Sequence, residues 1–104
     1  MSGWRPNAKD EERLLRALCK EGNAAEMRRL LKDLLSPAEY GTLVRRWAIF
    51  ELLEEGETQR ATAEAIGGSL CSVTRGARIR REGGSAAIRA LRRLAAAEKG
   101  GGKA

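Results

Sequence analysis

The densest concentration of a single chemistry in this chain is cationic. Arg75, Arg78, Arg80 and Arg81 all fall within the segment 75–81. A guanidinium is permanently charged and planar, so it can pair with a phosphate or a carboxylate, or stack on an aromatic face. The cluster is part of a wider asymmetry. Residues 1–74 carry 11 Lys/Arg against 12 Asp/Glu, and residues 75–104 carry 9 against 2, so the net charge of +6 arises entirely in the last third. A basic surface of this kind attracts polyanions such as nucleic acid or an anionic membrane face. By charge alone it could equally be a solvated, solubilising face.

Competing chemistries find little support. The chain has no His, and its two cysteines, Cys19 and Cys71, are far apart and lack metal-ligand spacing. No nucleophile–base pair can be read, and no Gly-rich phosphate loop follows a strand. The chain is therefore expected not to be an enzyme and to hold no metal. Both thiols read as reduced, in a cytoplasmic protein. Residues 1–8 lack the apolar core of a signal peptide, and no 18-residue apolar run offers a membrane span.

The elements that must position the arginines are helical. Leu and Ala carry the apolar weight, β-branched residues are few, and no stretch alternates with period two, which excludes a sheet. Residues 1–9 read as a loose polar arm. A first helix covers Asp10–Lys20, with Leu14, Leu15 and Leu18 on one face, and ends at Gly22-Asn23. A second runs from Ala24 to Leu35 and carries Met27, Leu30, Leu31 and Leu34. Ser36-Pro37-Ala38-Glu39 is a strong helix start: Ser36 caps, Pro37 sits where a missing donor costs nothing, and Glu39 has capping-box spacing. The helix that follows, the longest, carries Leu43, Val44, Trp47, Phe50 and Leu53 and ends at Gly56. Its wide apolar stripe suits a subunit interface as well as a core.

Two short helices, 58–66 and 70–80, then flank Gly67-Gly68, with Ser69 as the expected cap of the second. Ala61, Ala63 and Ala65 allow close approach, and Ile66, Leu70 and Val73 could fill the contact between the pair. This is the pattern of a helix-turn-helix, whose second helix enters the DNA major groove; a plain helical hairpin inside a bundle has the same outline. Gly83-Gly84 stops the second helix. Ser85 caps a last one with Ile88, Leu91 and Leu94. Residues 10–98 are thus expected to form one helical domain, and 99–104 a disordered Gly- and Lys-rich tail.

The stretch from Gly56-Glu57-Thr58-Gln59-Arg60 through Ile66-Gly67-Gly68-Ser69-Leu70-Cys71-Ser72-Val73-Thr74-Arg75-Gly76 resembles the reading head of the Trp repressor family. Ser36-Pro37-x-Glu39 with Arg46 is similar to the family's long central helix and its arginine. The resemblance covers about residues 30–80, with one residue fewer near Glu57-Thr58 than in the best-known members. It implies an all-α, six-helix subunit in an intertwined homodimer that represses transcription with L-tryptophan as corepressor.

Carried over residue by residue, the resemblance gives Arg46 the ligand's carboxylate and lays Arg75 over its indole. Ser72 lines the pocket, and Gly76 lets the ring approach the backbone. The carbonyls of Leu34 and Leu35, beside Ser36, receive the ammonium from the partner subunit. The same resemblance assigns DNA contacts. Gln59 and Arg60 reach phosphate or a guanine edge, Leu70, Cys71 and Thr74 face base edges, and Arg78, Arg80 and Arg81 meet phosphates. For Leu70, core packing is the competing reading; for Arg46, plain exposure; for Gly76, mere tolerance. Ile79 stands where the best-known members carry a Ser that helps hold the ligand's amino group. The expected function is therefore a ligand-gated repressor of a double-stranded operator. A ligand-independent helix-turn-helix protein and a helical protein-interaction module remain the alternatives.

Overall fold

The computed structural model describes residues 3–67 and 70–101. Its elements are six helices: α1 (Ala8–Lys20), α2 (Ala24–Leu34), α3 (Pro37–Glu54), α4 (Gln59–Ile66), α5 (Leu70–Glu82) and α6 (Ala86–Gly101). Among the described residues there is no strand, and no helix is long and apolar enough to cross a membrane. The chain groups into two compact units, Met1–Tyr40 and Gly41–Ala104.

In the first unit, helix starts are set by side chains that satisfy free amides. Asn7 caps α1 by accepting from the Asp10 amide at 2.8 Å, and its own amide group donates to Asp10 Oδ2 at 2.9 Å. The helix therefore begins at Ala8, inside the segment expected to be a loose arm. Asn23 caps α2 in the same way through the Glu26 amide at 2.8 Å. At the start of α3 the capping box is complete: Ser36 Oγ accepts from the Glu39 amide at 3.1 Å, and Glu39 Oε1 accepts from the Ser36 amide at 2.8 Å. Neither α1 nor α2 buries a residue, and Leu14, Leu15 and Leu34 stay exposed on the apolar stripes.

The second unit holds the core. Ile49, Phe50 and Leu53 of α3, Val73 of α5 and Ile88 of α6 are buried, and Ala63, Ile66 and Ala77 pack against the cluster of Ile49, Leu53 and Val73. The same helix leaves Leu43 and Val44 exposed in its N-terminal half, so its wide stripe is only partly used within one chain. α3 stops in a Schellman arrangement, with the Gly56 amide bonded to Leu53 O and the Glu57 amide to Leu52 O, both at 3.1 Å. Gly56 adopts φ 96 there, a conformation that costs a side-chain-bearing residue far more than glycine.

Later boundaries differ modestly from expectation. α5 continues to Glu82 rather than Arg80. Ser85 caps α6 through the Ile88 amide at 3.2 Å. The Ala-rich run after Leu94 propagates that helix to Gly101, so Lys99–Gly101 belong to α6 rather than to a tail. The expected stop at Gly68 and cap at Ser69 lie outside the described residues, as do 102–104.

Candidate functional site

The site is assembled in the second unit by the contact between α4 and α5, the principal element pairing there. Thr58 Oγ1 accepts from the Ala61 amide at 3.0 Å and starts α4. Gly67, at φ 66, ends it in the left-handed conformation that lets the chain turn. The inner faces of the pair are filled by Val73 and Thr62, both fully buried, with Ala63 and Ile66 alongside. Thr62 was not anticipated in this role. Its Oγ1 has no hydrogen-bond partner among the described residues.

α5 is pressed onto α3 by Gly76, which is buried. A Cβ added there would stand 3.0 Å from Ile49 Cγ2, 3.7 Å from Leu53 Cδ1 and 4.0 Å from Phe50 Cε1. The glycine thus sets the distance between two helices. Ser72 precedes it by four residues and is half-buried on that side of α5.

With the inner face fixed in this way, the outward residues follow. Gln59, Arg60, Leu70, Cys71, Thr74, Arg78, Arg80 and Arg81 are all exposed. Leu70 is 56% exposed, so it does not fill the contact between the two helices; at the first turn of α5 it precedes the buried positions Val73 and Gly76. Thr74 Oγ1 donates to Gln59 Oε1 at 3.3 Å, which ties the start of α4 to the exposed face of α5. Among the described residues no carboxylate pairs with Arg75, Arg78 or Arg81.

Arg80 is different. Its Nε donates to Glu54 Oε1 at 2.6 Å, and Arg92 Nε of α6 donates to Glu54 Oε2 at 2.9 Å. These two guanidiniums hold the Glu54 carboxyl below its ordinary value of 4.5, Arg92 contributing most, and the carboxylate in turn raises Arg92. Arg80 and Arg81 also line a surface concavity of about 410 Å³ with Leu53, Glu57, Thr58, Gln59 and Ala77. The sequence gives no cue to the Glu54 link, because its partners are 26 and 38 residues away.

Of the residues assigned to a ligand, Arg46 is exposed on α3, three residues before Ile49, and Arg75 is exposed on α5. Ile79 is half-buried. Leu34, Leu35 and Ser36 lie in the first unit at the turn between α2 and α3. There Leu35 lines a small cavity of about 250 Å³ with Lys32, Pro37 and Tyr40. The last carbonyls of α2 are at this turn and have no intrahelical donor to satisfy them. Ser36 is engaged in the capping box.

Known proteins agree with this architecture. The family profile described as "Trp repressor protein" matches residues 9–95. Curated proteins named "Trp operon repressor homolog" from Xylella fastidiosa strains M23, Temecula1 and 9a5c are each 36% identical over 67 residues, covering 64% of this chain and 73% of theirs. No solved structure matches. With six helices, a helix-turn-helix made by α4 and α5, and a profile match across most of its length, the chain belongs to the Trp repressor family, a family of regulators rather than enzymes.

Proposed function

We propose that this chain is a sequence-specific DNA-binding repressor of transcription that acts in the cytoplasm as an intertwined homodimer. A small amino acid, L-tryptophan first among candidates, would be its corepressor. The observation that carries the reading is the two-faced build of α5. Val73 and Gly76 anchor one side against the core, while Leu70, Cys71 and Thr74 stand clear at its start, followed by exposed Arg78 and Arg81. A helix held in this way can enter a major groove. Leu70 and Cys71 can meet a thymine methyl, Thr74 can reach a base edge or a bridging water, and Gln59, Arg60, Arg78 and Arg81 can meet phosphates.

Dimerisation is supported by the apolar residues that a single chain leaves uncovered, Leu14, Leu15, Leu34, Leu43 and Val44. The relatives' name, Trp operon repressor homolog, supports the ligand. In the proposed pocket Arg46 pairs with the carboxylate, Arg75 stacks on the indole and Ser72 lines the wall. Leu34 and Leu35 of the partner subunit accept from the ammonium beside Ser36 of the partner subunit. Binding would fix the tilt of the two heads so that their separation matches successive major grooves, ~34–36 Å apart.

Calorimetry with L-tryptophan on the ligand-free protein, followed by binding of a duplex selected from a random pool with and without it, tests this reading. Heat of binding and ligand-dependent duplex affinity are expected, and Arg46→Ala should remove the ligand response while sparing nonspecific binding. A second reading, ligand-independent DNA binding, is favoured by one observation: the space beside Gly76 is taken by Ile49, Leu53 and Phe50. Duplex affinity that ignores L-tryptophan, with no heat of binding, would establish that second reading in place of the first.

A further inference from the structure

The segment that follows the reading face is strongly basic, yet the structure does not leave all of its charge available. Glu54 projects from the last turn of α3 and takes both Arg80 of α5 and Arg92 of α6 on one carboxylate, with contacts of 2.6 Å, 2.9 Å and 3.4 Å. Its side chain is only 15% exposed, whereas those of Arg80 and Arg92 are 42% and 67% exposed. The anion is therefore held inside, and both guanidiniums, although partly exposed, turn their N–H donors onto it. Arg80 also lines the concavity that reaches Thr58 and Gln59 at the start of α4, so the pair lies close to the start of the helix-turn-helix.

We propose that Glu54 restrains the electrostatic affinity of the head for DNA: by holding Arg80 and Arg92 on its carboxylate it withholds them from DNA phosphates and so limits sequence-independent binding. This rests on the DNA-binding reading above. Phosphate contacts supply most of nonspecific affinity but carry no base information. A head with two fewer available cations loses affinity for every duplex by about the same factor, while the base-edge contacts from α5 are left as they are. Glu54 also ties α5 and α6 to the end of α3, so the two arginines are kept in place and one of their two charges is balanced.

The test uses the full chain and two duplexes, one selected from a random pool and one unrelated, with affinity followed across salt. Each phosphate contact steepens the log–log salt dependence by about 0.9. Glu54→Gln should therefore steepen the slope on the unrelated duplex by up to about 1.8, which is an extra loss of about 12-fold between ~50 and ~200 mM salt. The selected duplex should gain affinity by a similar factor. Adding Arg80→Gln or Arg92→Gln to that variant should each remove about half of the gain. Unchanged slopes with helical content intact, or a gain that persists in full after Arg80→Gln or Arg92→Gln is added, would overturn the proposal. If Glu54→Gln does not fold, Arg92→Gln and Arg78→Gln replace it: the first should leave the slope as it is and the second should lower it by about 0.9, and equal losses would refute the idea. Wild-type protein that binds neither duplex would instead remove the DNA-binding reading and this inference with it.

Discussion

Gly76→Ala isolates the contact on which the reading head is mounted. In the interior of a helix, alanine is ordinarily better than glycine by about 0.5–1 kcal/mol, since it loses less backbone freedom on folding. At Gly76 the new methyl would stand 3.0 Å from Ile49 Cγ2. Ile49 is 2% exposed and branched at Cβ, so it has little room to give way. Overpacking of this kind costs about 1–3 kcal/mol, which exceeds the helix gain and leaves a net loss of about 1 kcal/mol. For a chain of this size that is a fall in Tm of about 4–8 °C. Gly41 in α3 supplies the control, because a Cβ there meets nothing within 4 Å. Gly41→Ala should raise Tm by a few degrees. Thermal unfolding followed by circular dichroism, at one fixed protein concentration because association shifts Tm, measures both. Opposite signs are expected. If Gly76→Ala were as stable as Gly41→Ala, the close approach of α5 to α3 would be wrong.

Further outcomes follow from the same geometry. Ser36→Ala removes one half of the capping box and should cost about 1 kcal/mol in denaturant unfolding, as an N-cap loss does. Thr62→Val replaces a buried hydroxyl that has no partner with a methyl of similar size, and should raise Tm; a fall would mean that the hydroxyl is satisfied after all. Glu54 has its carboxyl held below the ordinary 4.5, so the charged form is the one favoured by folding. Its contribution is therefore present above about pH 4.5 and lost as pH falls through the lower folded value. Unfolding measured against pH should show that loss in the wild type and a flatter profile in Glu54→Gln.

Local signals in the sequence located most helix ends. The Ser36–Glu39 capping box and Gly56 are where they were read, because each acts on amides and carbonyls within a few residues. Asn7 was passed over, since polar residues near Trp4 and Pro6 look like a loose arm until the Asp10 amide is seen to need an acceptor. Leu70 is ambiguous in the sequence because both its type and its spacing of three from Val73 favour a core, and only the structure shows it 56% exposed. Gly76 could be read as tolerance or as space for a ligand, whereas the constraint comes from α3, more than twenty positions earlier in the chain. The Glu54 link has the same long-range origin. Nor do the stripes of α1 and α2 reveal that one chain buries none of their residues, because a stripe reads alike whether its cover comes from the same chain or another.

The central claim is that the segment starting at Leu70 reads a duplex from two symmetry-related heads. Selection from a random duplex pool, carried out in parallel with wild type and with a Leu70→Ala, Thr74→Ala double variant, addresses it most directly. Wild type should enrich a palindromic site whose half-sites lie one helical turn apart, ~34–36 Å, and the variant should keep its salt-dependent background binding but lose the enrichment. A pool left unenriched by the wild-type protein, or the same site recovered by the variant, would contradict it.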